Sequence, residues 1–257
     1  MLKTKNISIG YNKGAEDSVI LAKEVNLNLF PGQLTAVIGP NGSGKSTLLN
    51  TLSGQLKPLT GSVLIQSQNI EEFSHWERSK YLALVLTKKE FSQHLSVAEF
   101  VALGRVPYTN WLGTLSVEDH LSIEQAIEAT NLSELLDKKC GTLSDGQMQR
   151  VSIARALAQD TPIILLDEPT THLDLVNKAQ TLKLLKTLAQ EHKKSVAYAT
   201  HDIDLALDLG DQIISVHGGR INTGSTQEII DQGIIGEMFQ SDLVRFDHNT
   251  RRFSISD

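Results

Sequence analysis

The stretch Gly39-Pro40-Asn41-Gly42-Ser43-Gly44-Lys45-Ser46-Thr47 constrains this chain more than any other. It fits the pattern G-x-x-x-x-G-K-[ST], with Gly39, Gly44, Lys45 and Ser46 at the fixed positions. The apolar run Leu34-Thr35-Ala36-Val37-Ile38 before it reads as a buried strand, and the residues after it carry Leu48, Leu49 and Leu52 at helical spacing. Gly42 and Gly44 let a turn between strand and helix curl its N–H groups inward around an anion. A helix starting near Lys45 adds its positive end. Lys45 then supplies a mobile charge for β- and γ-phosphates, and the Ser46 hydroxyl is placed for Mg²⁺. The plainer alternative, a glycine-rich turn without a ligand, does not explain the Lys-Ser pair.

A second cluster follows another apolar run. Ile163-Ile164-Leu165-Leu166 ends in Asp167-Glu168, so two carboxylates emerge at the carboxyl end of a buried strand. With a phosphate loop upstream, Asp167 is expected in a Mg²⁺ shell, directly or through water, and Glu168 is expected to orient or deprotonate an attacking water. A surface acidic pair is the bland alternative.

Around these sites the chain alternates strand and helix signals. Ile7 and Ile9, then Val25, Leu27 and Leu29, alternate with polar residues and read as antiparallel strands. From about Ser92 to Asp160 the period turns helical. Ser96 and Glu99 form a capping-box pattern, Gly104 is expected to end that helix, Pro107 to Gly113 is expected as a loop, and Ser133 can cap a short helix. Strands resume at Ile163, Val196 and Ile213, the last turning at Gly218-Gly219 into a hairpin. The last thirty or so residues read as less regular. The pattern predicts an α/β fold: a mostly parallel sheet with ligands outside the strands' carboxyl ends, an antiparallel β subdomain, and an inserted α-helical subdomain.

Composition narrows the setting. The 257 residues carry a formal net charge of −6, so nothing marks a nucleic-acid binder. No apolar run approaches the roughly 18 residues of a membrane span, and the N-terminal residues do not read as a signal peptide. The single cysteine, Cys140, cannot form an internal disulfide and reads as an incidental thiol of a reducing cytosol.

A third site has no phosphate of its own. Leu143-Ser144-Asp145-Gly146-Gln147 precedes a helical stripe, with Ser144 and Gln147 spaced as a capping box. It is a good N-cap, and it also offers free N–H groups to an anion at Gly146.

With these three sites in this order, the chain resembles the ABC (ATP-binding cassette) ATPases over residues 2 to about 225. The segment 39–47 is similar to their Walker A motif, 163–168 to Walker B, and 143–147 to the signature motif, usually LSGGQ. Thr171-His172-Leu173-Asp174 resembles the D-loop, His201 the switch histidine, and Tyr11 the aromatic that stacks on adenine, although a turn tyrosine packing on the sheet fits Tyr11 as well. The resemblance implies a RecA-like P-loop core at 1–87 and 161–225, a helical subdomain at 88–160 and a C-terminal extension at 226–257. It also implies a head-to-tail homodimer in which ATP lies between Lys45 of one copy and Ser144 and Gly146 of the other. His201 would bond the γ-phosphate, and Asp174 would organise the seam. Two departures stand out. Asp145 replaces a glycine of the signature, and Thr87 takes the place of the family's Mg²⁺-side glutamine, with Gln93 as a possible substitute.

Val101-Ala102-Leu103-Gly104-Arg105-Val106-Pro107-Tyr108 is similar to a segment of importer ATPases for ferric siderophores, haem and vitamin B12. The expectation is an ATPase peripheral to the inner membrane on its cytoplasmic face. Its partners would be a second copy, a permease and, indirectly, an extracytoplasmic binding protein, with no nucleic acid. The rivals are a non-transport ABC protein acting on ribosomes or DNA, a P-loop small-molecule kinase, and a non-hydrolysing module.

Overall fold

The computed structural model describes residues 1–12, 18–86, 93–239, 243–248 and 250–255. The elements run in order β1 (Leu2–Asn12), β2 (Ser18–Val25), β3 (Asn28–Leu29), β4 (Leu34–Ile38), α1 (Lys45–Leu52), β5 (Thr60–Ile65), β6 (Gln68–Asn69), α2 (His75–Arg78) and β7 (Leu82–Val85). The helical region holds α3 (Val97–Ala102), α4 (Val117–Ala129) and α5 (Asp145–Ala158). Then come β8 (Ile163–Asp167), α6 (Leu175–Gln190), β9 (Ser195–Ala199), α7 (Ile203–Leu209), β10 (Gln212–His217), β11 (Arg220–Ser225), α8 (Thr226–Asp231), α9 (Ile234–Met238), β12 (Val244–Asp247) and β13 (Arg252–Ile255).

The central sheet has the order β11-β10-β4-β9-β8-β7. All its pairings are parallel except the β10–β11 hairpin, which turns through Gly218 and Gly219, both at positive φ. Its middle strands are apolar on both faces because both faces are covered. Leu34, Ala36 and Ile38 enter one core with α5, α6 and α7, while Val37 enters the other with α1 and the antiparallel sheet β2-β1-β5-β6. This is the α/β, P-loop NTPase-type core with an antiparallel β subdomain and a helical subdomain.

Several local expectations need correction. Gly104 does not end its helix: a 3₁₀ turn carries the chain from Leu103 through Tyr108, including Pro107. Gly104 is instead a contact point, since a Cβ there would lie 2.3 Å from the Arg155 carbonyl oxygen. Ser133 caps nothing; the short 3₁₀ turn Ser133–Leu135 follows Leu132, which offers no capping side chain. Val25 and Leu29 belong to separate strands. The C-terminal residues are more regular than their sequence pattern indicated. A Ser225–Glu228 capping box starts α8, and the β12–β13 hairpin closes over a cluster of Phe239, Phe246 and Phe253. Cys140 is a buried core residue whose thiol is pushed upward in pKa, chiefly by burial.

Candidate functional site

Register places the site. Val37 pairs with Ala199 across β4–β9, and Asp167 pairs with Ala199 across β8–β9. Three strand ends therefore stand side by side, and the chain leaving each carries one set of candidate residues: 39–47, 167–174 and 200–202.

Within the loop, Gly39 is obligatory, because a Cβ there would lie 2.3 Å from the Val216 carbonyl oxygen. Gly44 takes a left-handed conformation at the N-cap of α1, φ 108°, leaving the helix start without a capping side chain. The Lys45 side chain is 6% exposed and folds back so that Nζ donates to the carbonyls of Gly39 (2.9 Å) and Pro40 (3.2 Å). Burial lowers its pKa, opposed by Glu168 and Asp167 nearby. The Ser43 hydroxyl is buried without a hydrogen-bond partner among the described residues. A capless helix start, a buried ammonium and an unsatisfied hydroxyl converging on one loop fit a phosphate chain. Asn41 and Gly42 form the exposed rim of the loop.

Ser46 Oγ donates to Asp167 Oδ1 at 3.0 Å. These two oxygens fit Mg²⁺, a hard cation that takes the rest of its shell from phosphates and water. No cluster of three or more His, Cys, Asp or Glu side chains among the described residues offers an all-protein metal cage. The Asp167 carboxyl is shifted up. Burial is the largest cause, the Ser46 hydrogen bond opposes it, Glu168 reinforces it and Lys45 opposes it. A carboxyl whose folded pKa exceeds its unfolded value costs stability as pH rises from the ordinary value of 3.8 upward, where the folded state must give up its proton. Asp167→Asn is therefore expected to raise the Tm of the nucleotide-free protein at neutral pH while abolishing Mg²⁺-dependent hydrolysis; paired melting and phosphate-release assays check both.

Glu168 sits just past β8 with φ 48°, an uncommon conformation for a non-glycine residue. Its N–H is held by the Ala199 carbonyl. One carboxylate oxygen accepts from Thr171 Oγ1 at 3.0 Å, and the other lies 3.9 Å from His201 Nδ1. His201 is 47% exposed by its side chain. Behind it, Asp202 accepts from Thr170 Oγ1 (2.9 Å) and Lys178 Nζ (2.7 Å), tying the strand ends to α6. Sequence reasoning gave Thr171 and Asp202 no role of their own. Their only signal was adjacency, three residues beyond Glu168 and one beyond His201.

Ser144 and Gln147 form the expected reciprocal capping box on α5. Gly146 packs toward Leu173 and Asn177, where Asp174 caps α6 by accepting from Asn177 N. Thus Ser144, Gly146, Gln147 and Asp174 come together, and no hydrogen bond or ion pair links them to the 39–47 loop among the described residues. Thr87 lies outside the described residues. Gln93 is clipped by its carbonyl to the Gly141 N–H, on the helical subdomain.

Tyr11, 44% exposed, ends near the loop, and its hydroxyl shares a 2.6 Å hydrogen bond with Thr47 Oγ1. Its ring therefore has a fixed lever on α1. Tyr11→Phe removes this bond alone and is expected to lower stability by about 1 kcal/mol, read as a Tm drop of about 2–4 °C.

Beside His201 lies a cavity of about 550 Å³, bounded by Leu175, Lys178, Asp202, Asp208 and, from the C-terminal hairpin, Arg252.

Comparison with known proteins identifies the family. The ABC transporter family profile matches residues 22–171. The chain is 35% identical to the petrobactin import ATP-binding protein FpuD of Bacillus anthracis, over 93% of this chain and 86% of that one. It is 36% identical to the iron(3+)-hydroxamate import ATP-binding protein FhuC of Bacillus subtilis, over 94% and 88%. Among solved structures it is similar to the dimeric bacterial ABC transporter cassette MJ0796, with a TM-score of 0.77 and 33% identity, covering 88% of this chain and 99% of that one. The chain belongs to the ABC transporter family and is one of its ATP-hydrolysing cassettes.

Proposed function

We propose that this chain is the ATPase subunit that drives import of ferric siderophores, haem or vitamin B12 through a partner permease, with ferric siderophores favoured by its relatives. It works as a homodimer on the cytoplasmic face of the inner membrane and takes its cargo indirectly from an extracytoplasmic binding protein. No helix among the described residues is long and apolar enough to cross a membrane.

The observation that carries the paired reading is the separation of the two phosphate-binding devices. Lys45 and its loop occupy one place, and the capped start of α5 at Ser144 and Gly146 packs on the Asp174 turn with no hydrogen bond to that loop among the described residues. Two copies arranged head to tail bring one device of each to a single triphosphate. Tyr11, 39–47, Ser46 and Asp167 hold ATP and Mg²⁺ from one side; Ser144, Gly146 and Gln147 hold the γ-phosphate from the other. Mg²⁺ neutralises phosphate charge when bound. Glu168, fixed by Thr171, accepts a proton from the attacking water, and His201 donates to the γ-phosphate. Thr87 is assigned to the Mg²⁺ side as an oxygen ligand. The same reading divides the chain into a core (1–87, 161–225), a helical subdomain (88–160) and an extension (226–257).

The experiment is recovery of the tagged chain from iron-starved cells together with its membrane partners, paired with uptake of radiolabelled ferric siderophore in cells lacking the gene. An integral membrane partner and lost uptake support the reading. Recovery with ribosomes, or a phosphorylated small-molecule acceptor in an activity screen, replaces it with one of its rivals.

A further inference from the structure

A second cleft, of about 410 Å³, runs between the helical subdomain and the core, away from the 39–47 loop. Asn131 lines it beyond the end of α4, Gly146 and Arg150 from the first turns of α5, and Asn177, Gln180 and Lys183 from α6. Two cations line it and no carboxylate does, in a chain whose formal net charge is −6. Arg150 Nε is buried and has no hydrogen-bond partner among the described residues. Neither Arg150 nor Lys183 takes part in any ion pair among the described residues.

The contrast with Arg105, in the same helical subdomain, is direct: that guanidinium is buried and donates from Nε to Asp119 and from Nη1 to the Ala158 carbonyl. Arg150 as a whole is only half-buried, with Nε its one buried unpartnered atom, so its guanidinium reaches a cleft lined by cations and no carboxylate and is free to take an anion from outside the chain. Guanidinium donors match the oxygens of phosphate and carboxylate groups in a fork. Lys183 at the exposed mouth adds a point charge, and the Asn131 and Gln180 amides supply further donors. Size suits the class, since the cleft exceeds the volume of one water by an order of magnitude.

We propose that this cleft is a binding site for a small oxyanion, a free phosphate or a carboxylate-bearing molecule, held by Arg150 and Lys183 at the junction of α5 and α6. The bound anion joins the helical subdomain to the core and so favours one placement of the two. Gly146 lies on the same face of α5 one turn before Arg150, so occupancy is felt at the signature turn. The site does not depend on the import reading, nor on which nucleotide the 39–47 loop takes.

The test uses the full chain carrying Lys45→Ala, which removes the loop's own cation, and compares it with Lys45→Ala/Arg150→Gln and Lys45→Ala/Lys183→Met. Thermal melts are titrated with inorganic phosphate and, separately, malonate, at ionic strength fixed with chloride. A saturable Tm rise of about 3–6 °C at ten times the dissociation constant, lost with Arg150→Gln and weakened at least threefold in affinity with Lys183→Met, is the expected result. A rise with phosphate identifies a phosphate site, and a rise with malonate alone a carboxylate site. If Arg150→Gln does not fold, Lys183→Met on the exposed wall decides alone. No rise beyond chloride, or a rise unchanged by Lys183→Met, overturns the proposal.

Discussion

The Glu168→Gln protein is expected to bind ATP as the parent does and to hydrolyse it about 10²–10⁴-fold more slowly. The substitution keeps the shape of the side chain and an oxygen to accept the Thr171 hydroxyl, which holds one carboxylate oxygen at 3.0 Å. What it removes is the capacity to take a proton from water. The left-handed backbone at Glu168, φ 48°, and the bond from its N–H to Ala199 are untouched, so the fold should be preserved. With ATP bound and uncleaved, the two-copy state should accumulate, visible as a doubled mass in light scattering on adding ATP and Mg²⁺. Turnover at the parent rate would remove Glu168 from its role. ATP bound by a lone copy, with no doubled mass at any ATP concentration, would remove the shared site.

Breaking the Arg105–Asp119 pair should produce the largest loss of stability. Arg105 Nε donates to Asp119 Oδ1 at 2.7 Å and Nη1 donates to the Ala158 carbonyl at 2.8 Å, with the side chains 8% and 4% exposed. The guanidinium also stacks 4.0 Å from the Tyr108 ring centroid. Arg105→Ala leaves a buried carboxylate without its counter-ion, which costs about 3–5 kcal/mol, or roughly 6–20 °C in Tm for a chain of this size. Burial alone would push Asp119 up, but the Ser116 N–H, the Arg105 guanidinium and the Ser116 hydroxyl outweigh it and hold the carboxyl below 3.8. A depressed folded pKa gives stability that is complete above the unfolded value and lost as pH falls through the folded one. Melts from pH 6 downward should therefore show the parent losing this contribution only below about pH 3.8, while Arg105→Ala lacks it throughout. Equal melting of the two proteins at pH 6 would show that the pair contributes nothing.

The 39–47 loop, the acidic end of β8 and the capped start of α5 were legible in the sequence because each couples a local pattern to a polar or charged group that the pattern cannot otherwise explain. Lys45 after two glycines, Asp167 after four apolar residues, and Ser144 three residues before Gln147 all lie where their spacing puts them. Less legible was whatever depends on contact across the fold. Gly104 looked like a helix stop, yet the Arg155 carbonyl on α5 is what excludes a side chain there. The grip of Thr171 on Glu168 and the Thr170 bond to Asp202 need the turn after β8, and the Lys178 bond to Asp202 needs α6 brought beside the end of β9; none has a period or a motif. Tyr11 was readable as an aromatic near the loop, but its bond to Thr47 depends on where the antiparallel sheet sets down the end of β1. The C-terminal residues gave weak periodicity because their elements are short, and the β12–β13 hairpin is held by Phe239, Phe246 and Phe253.

That tail bears on how the cassette can be built and altered. Arg252 walls the same cavity as His201, and Phe246 and Phe253 lie against the larger core. A chain shortened before Phe239 would bare apolar surface and open one side of the chamber next to His201. Purification handles and reporter fusions accordingly belong at the opposite terminus, and a lineage that trims or swaps these final residues changes the surroundings of His201 without touching any motif.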